Sequence, residues 1–201
     1  MRMRTRRTAL PLALAVVALV LASCGALSQA TPVPPTGTPL AGLPLTQTHL
    51  FPGFGFSIDY PEDWVTATQA PVSLFAGTEA DLADLQRGAS PQGVILSHDH
   101  RGMSFMQGLG LPEDPSPEDL YALNAGFFGW GEPVTQSEVT VLGAPALRAR
   151  VSNGGRWEET VMGYVGDQAY LLSVEAPSEE ALDDFLPTFE AMLASAEAVG
   201  E

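Results

Sequence analysis

Four runs of alternating residues in the second half of the chain constrain its fold more than any other feature. Within each run, large apolar residues alternate with small or polar ones, as in a strand with one buried face. Glycine-bearing turns separate the runs, and such turns are the strongest short-range sign of a β-hairpin. We therefore predict an antiparallel meander. Its strands are residues 134–142, 146–151, 157–165 and 169–175.

The register of the central hairpin is predicted from the need to bury one face. A loop of three residues, 153–155, aligns the apolar residues of the two strands, whereas a loop of two residues does not. We therefore expect the three-residue loop. The predicted opposing pairs are Val151 with Trp157, Leu147 with Val161, and Arg150 with Glu158.

A further strand opens the domain at residues 54–60, where large residues alternate strictly with small or polar ones. More strand is predicted over 65–75, interrupted near Pro71, and over 93–98, with a short helix at 80–87 between them. The residues predicted to point into the core from the first strand are Phe54, Phe56, Ile58 and Tyr60.

Two helices carry clear start signals. Ser116 is a good cap, with Pro117 at the first helical position and acidic residues in the first turn. A second helix begins after Ser178, and Pro187 should kink or divide it. The predicted inward residues are Leu120, Leu123 and Phe127 in the first helix, and Leu182, Phe185, Leu186, Phe189, Met192 and Leu193 in the second.

Three segments give the chain a family resemblance. Residues 55–64, an aromatic strand ending in Tyr-Pro with a tryptophan shortly after, resemble the opening of PsbP-like domains. Residues 141–146 are similar to the hairpin of that family, and residues 185–193 to its last helix. The resemblance implies an α+β fold, with an antiparallel sheet flanked by helices on both faces (an α/β/α sandwich). It also implies a scaffold or binding protein, with no shared catalytic residue.

The amino-terminal segment is typical of a bacterial lipoprotein signal peptide, residues 1–23. Four arginines precede the apolar run 9–22, which is shorter than the ~20 residues that a membrane-spanning helix needs. Cys24 follows Leu-Ala-Ser, as in a lipobox, and its lipidation would anchor the chain to a membrane on the extracytoplasmic side. An ordinary secretory signal with a chance cysteine is the alternative.

Residues 24–50 are rich in Pro, Thr and Gly and are predicted to be a tether, followed by the globular domain at 51–201. After cleavage, five arginines and no lysine remain against 24 acidic residues, a formal net charge of −19. Such a charge repels phosphate backbones and anionic lipids, which argues against nucleic acid as a partner.

Two sets of residues are candidate sites. His98 and His100 would point to the same face of a strand and could hold a transition metal, completed by a carboxylate or water. A polar strand end that meets a loop is the alternative interpretation. Phe128 and Trp130 lie among glycines, and they either fill the core or, if exposed, bind a protein partner.

We therefore expect a lipid-anchored, non-catalytic binding or scaffold module for a protein partner or membrane complex, without a cofactor. The alternative function is a metal or small-solute binder that uses His98 and His100.

Overall fold

A seven-stranded antiparallel sheet is the centre of the domain, in a computed structural model that describes residues 42–51 and 53–199. Its strand order is β3-β4-β5-β9-β8-β7-β6, so the predicted meander is confirmed. The strands are β3 (Val65–Gln69), β4 (Val72–Ala76), β5 (Ile95–Gly102), β6 (Thr135–Val141), β7 (Ala144–Asn153), β8 (Arg156–Val165) and β9 (Gln168–Ala176).

A smaller antiparallel sheet has the order β1-β2-β10. It comprises β1 (Leu45–Phe51), β2 (Phe56–Pro61) and β10 (Glu197–Ala198). Phe56 and Ile58 of β2 are buried in the same hydrophobic cluster as residues of β4, β5, β8 and β9. The smaller sheet therefore covers one face of the larger one.

Helices pack on both faces of the large sheet, which confirms the predicted α+β class. Helix α4 contacts β8 and β9 within the cluster that also contains the smaller sheet. Helices α2 and α3 cover the opposite face, where Leu120 of α3 packs with Leu147 and Met162. The helices are α1 (Glu79–Gln86), α2 (Met103–Gly108), α3 (Pro117–Phe128) and α4 (Glu179–Ala194).

The helix starts follow from local chemistry. The Ser116 side chain accepts a hydrogen bond from the Asp119 amide, and the Asp119 carboxylate accepts one from the Ser116 amide. This capping box satisfies two backbone donors that a helix otherwise leaves unpaired. The Ser178 side chain caps α4 by accepting a hydrogen bond from the Ala181 amide, without a reciprocal bond.

The helices differ from the expectation at two residues. Helix α4 is continuous through Pro187, so of the two expected outcomes, a kink or a division, the division is wrong. Phe127 is 61% exposed and does not point into the core, whereas Leu120 is buried as expected. Phe127 lies in the last turn of α3, which ends at Phe128.

The predicted register of the central hairpin is also wrong, by one residue. Asn153 pairs with Arg156 across a two-residue turn, which places Val151 opposite Glu158 and Leu147 opposite Met162. Gly154 and Gly155 have φ values of 59° and 85°, as the favoured two-residue hairpin turn requires. The prediction was wrong because β8 is covered on both faces. Burial of one face therefore does not determine which residues of β7 and β8 lie opposite each other.

Strand β1 lies inside the segment that was predicted to be a tether up to residue 50. The sequence pattern did not indicate this strand, because most of its exposed residues are polar. β1 is an edge strand that is held to β2 by backbone hydrogen bonds. Just before it, the Leu43 amide donates to Thr188 Oγ1 at 2.8 Å. A side chain at Gly42 would meet the backbone of Pro187 and Thr188 at about 3.0 Å, so the chain crosses α4 closely there.

The remaining predicted elements are present with shifted ends. The strand at 54–60 corresponds to β2, the interrupted region 65–75 to β3 and β4, and the short helix to α1. In the described part of the chain, no helix is long and apolar enough to cross a membrane.

The hairpin turn gives a first prediction. Gly155→Ala should destabilise the fold by about 1 kcal/mol, because an alanine at φ 85° has an unfavourable backbone although no atom crowds its Cβ. Urea unfolding measures the change. The matched control is Gly126→Ala inside α3, also uncrowded, which should stabilise by about 0.5–1 kcal/mol. Equal effects of the two changes would contradict the turn assignment.

Candidate functional site

The carboxyl-terminal end of α3 exposes two aromatic residues. Phe127 is 61% exposed and Phe128 is 50% exposed. Gly129 follows in the left-handed conformation, with φ 70°, and caps the helix. The reversal of direction at Gly129 leaves both phenylalanines at the helix end and carries the next residues back to the sheet.

Trp130 is the residue that fixes this end to the sheet. Its side chain is only 8% exposed and belongs to the cluster beneath α2 and α3. Its Nε1 donates a hydrogen bond of 2.9 Å to Glu158 Oε2 on β8. The indole ring stacks on Tyr121 and Phe128, with centroids 5.7 and 5.2 Å away. The two sequence candidates therefore lie together, with Trp130 in the core and Phe128 half-exposed.

Glu158 was not singled out in the sequence, yet it is the most perturbed acid of this region. Burial, with a smaller contribution from the carboxylate of Glu175 on the adjacent strand, raises the pKa of Glu158 to about 7. Hydrogen bonds from Ser173 and Trp130, together with the charge of Arg156, act in the opposite direction. Its position opposite Val151 and under α3 explains the burial.

His98 and His100 point to the other face of the sheet, as the period of two predicts. His98 is fully buried and His100 is 9% exposed, so they do not lie at a polar strand end that meets a loop. Their ring centroids are 5.3 Å apart. The Phe51 ring lies 3.8 Å from His98, and the Phe54 ring stacks on His100 at 5.0 Å. The turn between β1 and β2 thus covers the pair.

The histidines have few polar neighbours. Within the described residues, neither ring nitrogen of His98 has a hydrogen-bond partner, and the same holds for His100 Nδ1 and the Tyr170 hydroxyl. Burial lowers the pKa of His98 to about 3 and also lowers that of His100. No group of three or more His, Cys, Asp or Glu side chains in 42–51 and 53–199 is arranged to hold a metal. A carboxylate does not complete the predicted site there.

The sequence predicts His49 to lie in the tether, but in the structure it lies on β1, beside the aromatic residues that cover His98. Its Nε2 is 3.2 Å from Ser73 Oγ, and Ser73 pairs with His98 across β4 and β5. All three histidines of the chain therefore share one face. His49 is 49 residues from His98 in the sequence, so no local pattern indicated that it lies near the other two.

A shallow cleft lies between α3 and β5 on the Trp130 side of the sheet. Its volume is about 20 Å³, the space of a single water molecule. Asp99, Arg101 and Asn124 line it, and Arg101 donates to Asp99 at 2.9 Å. Burial raises the pKa of Asp99. The cleft is too small for an organic ligand.

The basic residues of the domain are all engaged in ion pairs. Glu159 is buried between Arg148 and Arg150, at 2.5 and 2.8 Å, and these arginines also reach Glu190 and Asp183 on α4. The described surface is consequently dominated by acidic groups. The other pairs are Arg87 with Asp84, Arg101 with Asp99, and Arg156 with Glu175. Cys24 lies outside the described residues.

Comparison with known proteins supports the fold. No family model matches the sequence, and no curated protein does. The structure is similar to the solution structure of cyanobacterial PsbP (CyanoP) from Synechocystis, with a TM-score of 0.51 and 14% identity. The match covers 84% of this chain and 98% of that one. At this identity the likeness concerns the fold alone, and the fold is the one that the PsbP resemblance predicted.

Two other solved structures match less well. One is LpqN of Mycobacterium tuberculosis, described as involved in cell envelope biogenesis, with a TM-score of 0.40, 14% identity, and coverage of 72% of this chain and 83% of that one. The other is a protein of Bacteroides thetaiotaomicron, with a TM-score of 0.42, 16% identity and 77% coverage of this chain. The chain spans about half the length of the Bacteroides protein, 48%.

The buried carboxyl group gives a prediction on pH. Its pKa is raised from 4.5 to about 7, so folding favours the protonated form. The stability that Glu158 contributes is therefore complete below pH 4.5 and is lost as the pH rises through 7, by up to about 3 kcal/mol. Glu158→Gln mimics the protonated group, since its amide can still accept from Trp130 and donate to Ser173.

Urea unfolding at pH 5 and pH 8 tests this. We expect Glu158→Gln to match the wild type near pH 5 and to exceed its stability at pH 8. Glu138→Gln, at an exposed glutamate of β6, is the control and should not alter the pH dependence. A Glu158→Gln variant that is less stable at pH 8 would show that the ionised carboxylate is the favoured partner of Trp130.

Proposed function

We propose that this chain is a non-catalytic binding module, held on the extracytoplasmic side of a membrane by lipid on Cys24, that docks a protein partner at the end of α3. The observation that carries the proposal is the exposure of Phe127 and Phe128 on a helix end that the buried Trp130 holds in place. Exposed aromatic side chains on a rigid support are the usual energetic centres of protein interfaces.

The rigidity of the support favours binding. Trp130 is hydrogen-bonded to the sheet and packed between Tyr121 and Phe128, so the helix end loses little freedom when a partner docks. Preorganisation of this kind reduces the entropic cost of association. A loop with the same aromatic residues but without the buried indole would lack this advantage.

The negative charge of the domain indicates the charge that a partner should carry. Each arginine of the described part is already in an ion pair with an acid, and the mature chain has a net charge of −19. The complementary partner is a protein with an apolar pocket bordered by basic residues, because such a rim is attracted to this surface and speeds association. An acidic partner or an anionic lipid surface would be repelled.

The anchor sets the range of the search. Seventeen residues separate Cys24 from Gly42, the first residue that the structure describes. Fully extended, this segment reaches at most about 60 Å. Confinement within that distance of the membrane raises the effective concentration of the domain for a partner in the same membrane.

Site-specific photo-cross-linking in intact cells tests the docking site. A benzophenone amino acid at Phe127 should give one recurrent adduct, whereas the same group at Phe105 should not. Phe105 is a matched control because it is 54% exposed and lies on α2, on the same side of the sheet. Adducts that are equal at both positions, or absent at both, would contradict the proposal.

Binding to the identified partner gives the energetic test. Phe127→Ser and Phe128→Ser should each weaken the affinity by about 30-fold, the effect of losing about 2 kcal/mol at a hot spot. Phe105→Ser should leave it unchanged, and added salt should weaken binding to the wild type. Phe127→Ser and Phe105→Ser should unfold at nearly the wild-type denaturant concentration, since exposed positions contribute little to stability, whereas Phe128→Ser should lower the stability by about 1 kcal/mol because its ring packs on Trp130.

The anchor has its own test. Mass spectrometry of the protein from membranes should find Cys24 as the acylated first residue. Cys24→Ala should release the domain from the membrane while its affinity for the purified partner stays the same. An unmodified cysteine, or a variant that remains with the membrane fraction, would overturn the lipid anchor without affecting the docking site.

A further inference from the structure

We propose that β1 is released from the domain in acid, when the His98 and His100 side chains beneath it take up protons. This inference goes beyond the docking function and concerns the opposite face of the sheet. It rests on the way β1 covers the two imidazole rings, on the weak attachment of β1, and on the lack of any group that would stabilise a positive charge there.

Strand β1 forms part of the cover of the two histidines. The Phe51 ring at its end lies 3.8 Å from the His98 ring. His49, also on β1, is in edge contact with Phe51, with ring centroids 4.9 Å apart. Phe54 follows directly after the strand and stacks on His100. Because His98 is fully buried, water reaches its ring only when a covering element moves away.

Of the covering elements, β1 has a weak attachment. It is the edge of the smaller sheet and pairs with β2 on one side alone. Phe51 is its single buried side chain, whereas four of its seven residues are exposed. Segments with few buried apolar contacts open more readily than the rest of a fold. Separation of β1 should therefore precede unfolding of the meander.

No acidic side chain in the described part of the chain is placed to pair with a protonated His98. Strands β1 and β4 contain no acid, and those of α4 are all exposed. Asp59 of β2 accepts a hydrogen bond from Thr48 on the exposed side. Asp99 of β5 lies on the other face and pairs with Arg101, and Glu159 of β8 is held by two arginines.

The other titratable groups on this side of the sheet also fail to stabilise an imidazolium. His49 of β1 and His100 are themselves bases, and the positive charge of either one lowers the pKa of His98 further. Tyr60 of β2 and Tyr170 of β9 are uncharged in acid. Protonation of the covered rings is therefore unfavourable from every side.

Hydrogen bonding adds to this effect. Both ring nitrogens of His98 and Nδ1 of His100 have no partner among the described residues. A protonated imidazole has two N–H donors, so it would leave both donors of His98 unsatisfied. Burial lowers the pKa of His98 from 6.5 to about 3 and also lowers that of His100. Opening thus takes up protons and becomes more favourable as the pH falls from about 6.5 toward 3.

Release of β1 would change the reach of the domain. Residues 42–51 would join the segment that precedes the domain, so that 27 residues would follow Cys24 instead of 17. The fully extended limit would then increase from about 60 Å to about 95 Å. This consequence rests on the proposed lipid anchor, whereas the release itself does not.

Hydrogen exchange of the full chain at pH 7 and pH 5, followed by mass spectrometry, tests the proposal. After correction for the intrinsic exchange rate, peptides of β1 should exchange roughly 5- to 25-fold faster at pH 5, while those of β8 keep their protection. The upper value applies when opening restores the ordinary pKa of His98.

Two variants identify the titrating group. His98→Leu should remove most of the increase, because leucine takes up no proton. Glu138→Gln, at an exposed residue of β6, should leave the increase unchanged. A His98→Leu variant that responds to pH like the wild type would overturn the proposal. So would equal acceleration of β1 and β8, because it would show acid unfolding of the whole domain.

A second measurement uses the unaltered protein and does not depend on whether the variants fold. In NMR spectra at pH 5, the amide signals of β1 should broaden or move toward the positions of an unstructured chain, while those of β7, β8 and β9 stay in place. Signals of β1 that do not change between pH 7 and pH 5 would contradict the release. Neither measurement needs the lipid or a partner, so failure of the anchor or of the docking site would not alter the result.

Discussion

Burial of the central strands on both faces is the constraint on which the rest of this structure depends. Strands β5, β9 and β8 have α4 and the smaller sheet on one side and α2 and α3 on the other. Polar side chains on these strands must therefore be accommodated inside the protein. On one side, desolvation raises the pKa of Glu158, and hydrogen bonds from Trp130 and Ser173 oppose that rise. On the other side, His98 is held neutral among phenylalanine rings. Both candidate sites are consequences of the same layered architecture.

The same constraint explains which features the sequence could predict. Local signals were sufficient where the chemistry is local, as at the Ser116 cap and in the positions of the glycine turns of the meander, although not in the length of the central turn. Pairing was different, because β8 is covered on both faces, so the need to bury one face does not select the register. Strand β1 was missed because most of its residues are exposed and lack a regular apolar alternation, although its partner β2 is the next strand along the chain. The common face of His98 and His100 followed from the strand period, but the rings that cover them come from β1 and β2. Their proximity results from tertiary packing, and no local sequence pattern indicates it.

Charge is distributed so that the arginines serve the fold and the acids face solvent. Arg148 and Arg150 join β7 to Glu159 on β8 and to acids on α4, which ties the helix to the sheet edge. Arg156 pairs with Glu175 on β9 and donates hydrogen bonds to the backbone carbonyls of Pro91 and Gly93. Because these partly buried pairs use the basic groups, the remaining acids give the surface its sign. Recognition by this domain must then depend on apolar contact within an acidic field, and the aromatic end of α3 has that character.

Polar groups inside the core lower the stability of the fold when they have no hydrogen-bond partner. A leucine at His98 would pack against Phe51 and Phe56 without leaving two nitrogens unpaired, and such a replacement of a buried polar group is often neutral or stabilising. A domain whose total stability is about 5–15 kcal/mol is sensitive to a penalty of about 1–3 kcal/mol. Departures from the best packing concentrate where a protein does something besides fold. The burial of Glu158 has a different explanation, since its donors fix Trp130 and hence the helix end. For His98, the described residues supply no such hydrogen bond, so this side chain contributes to the core through its ring contacts with Phe51 and Phe56.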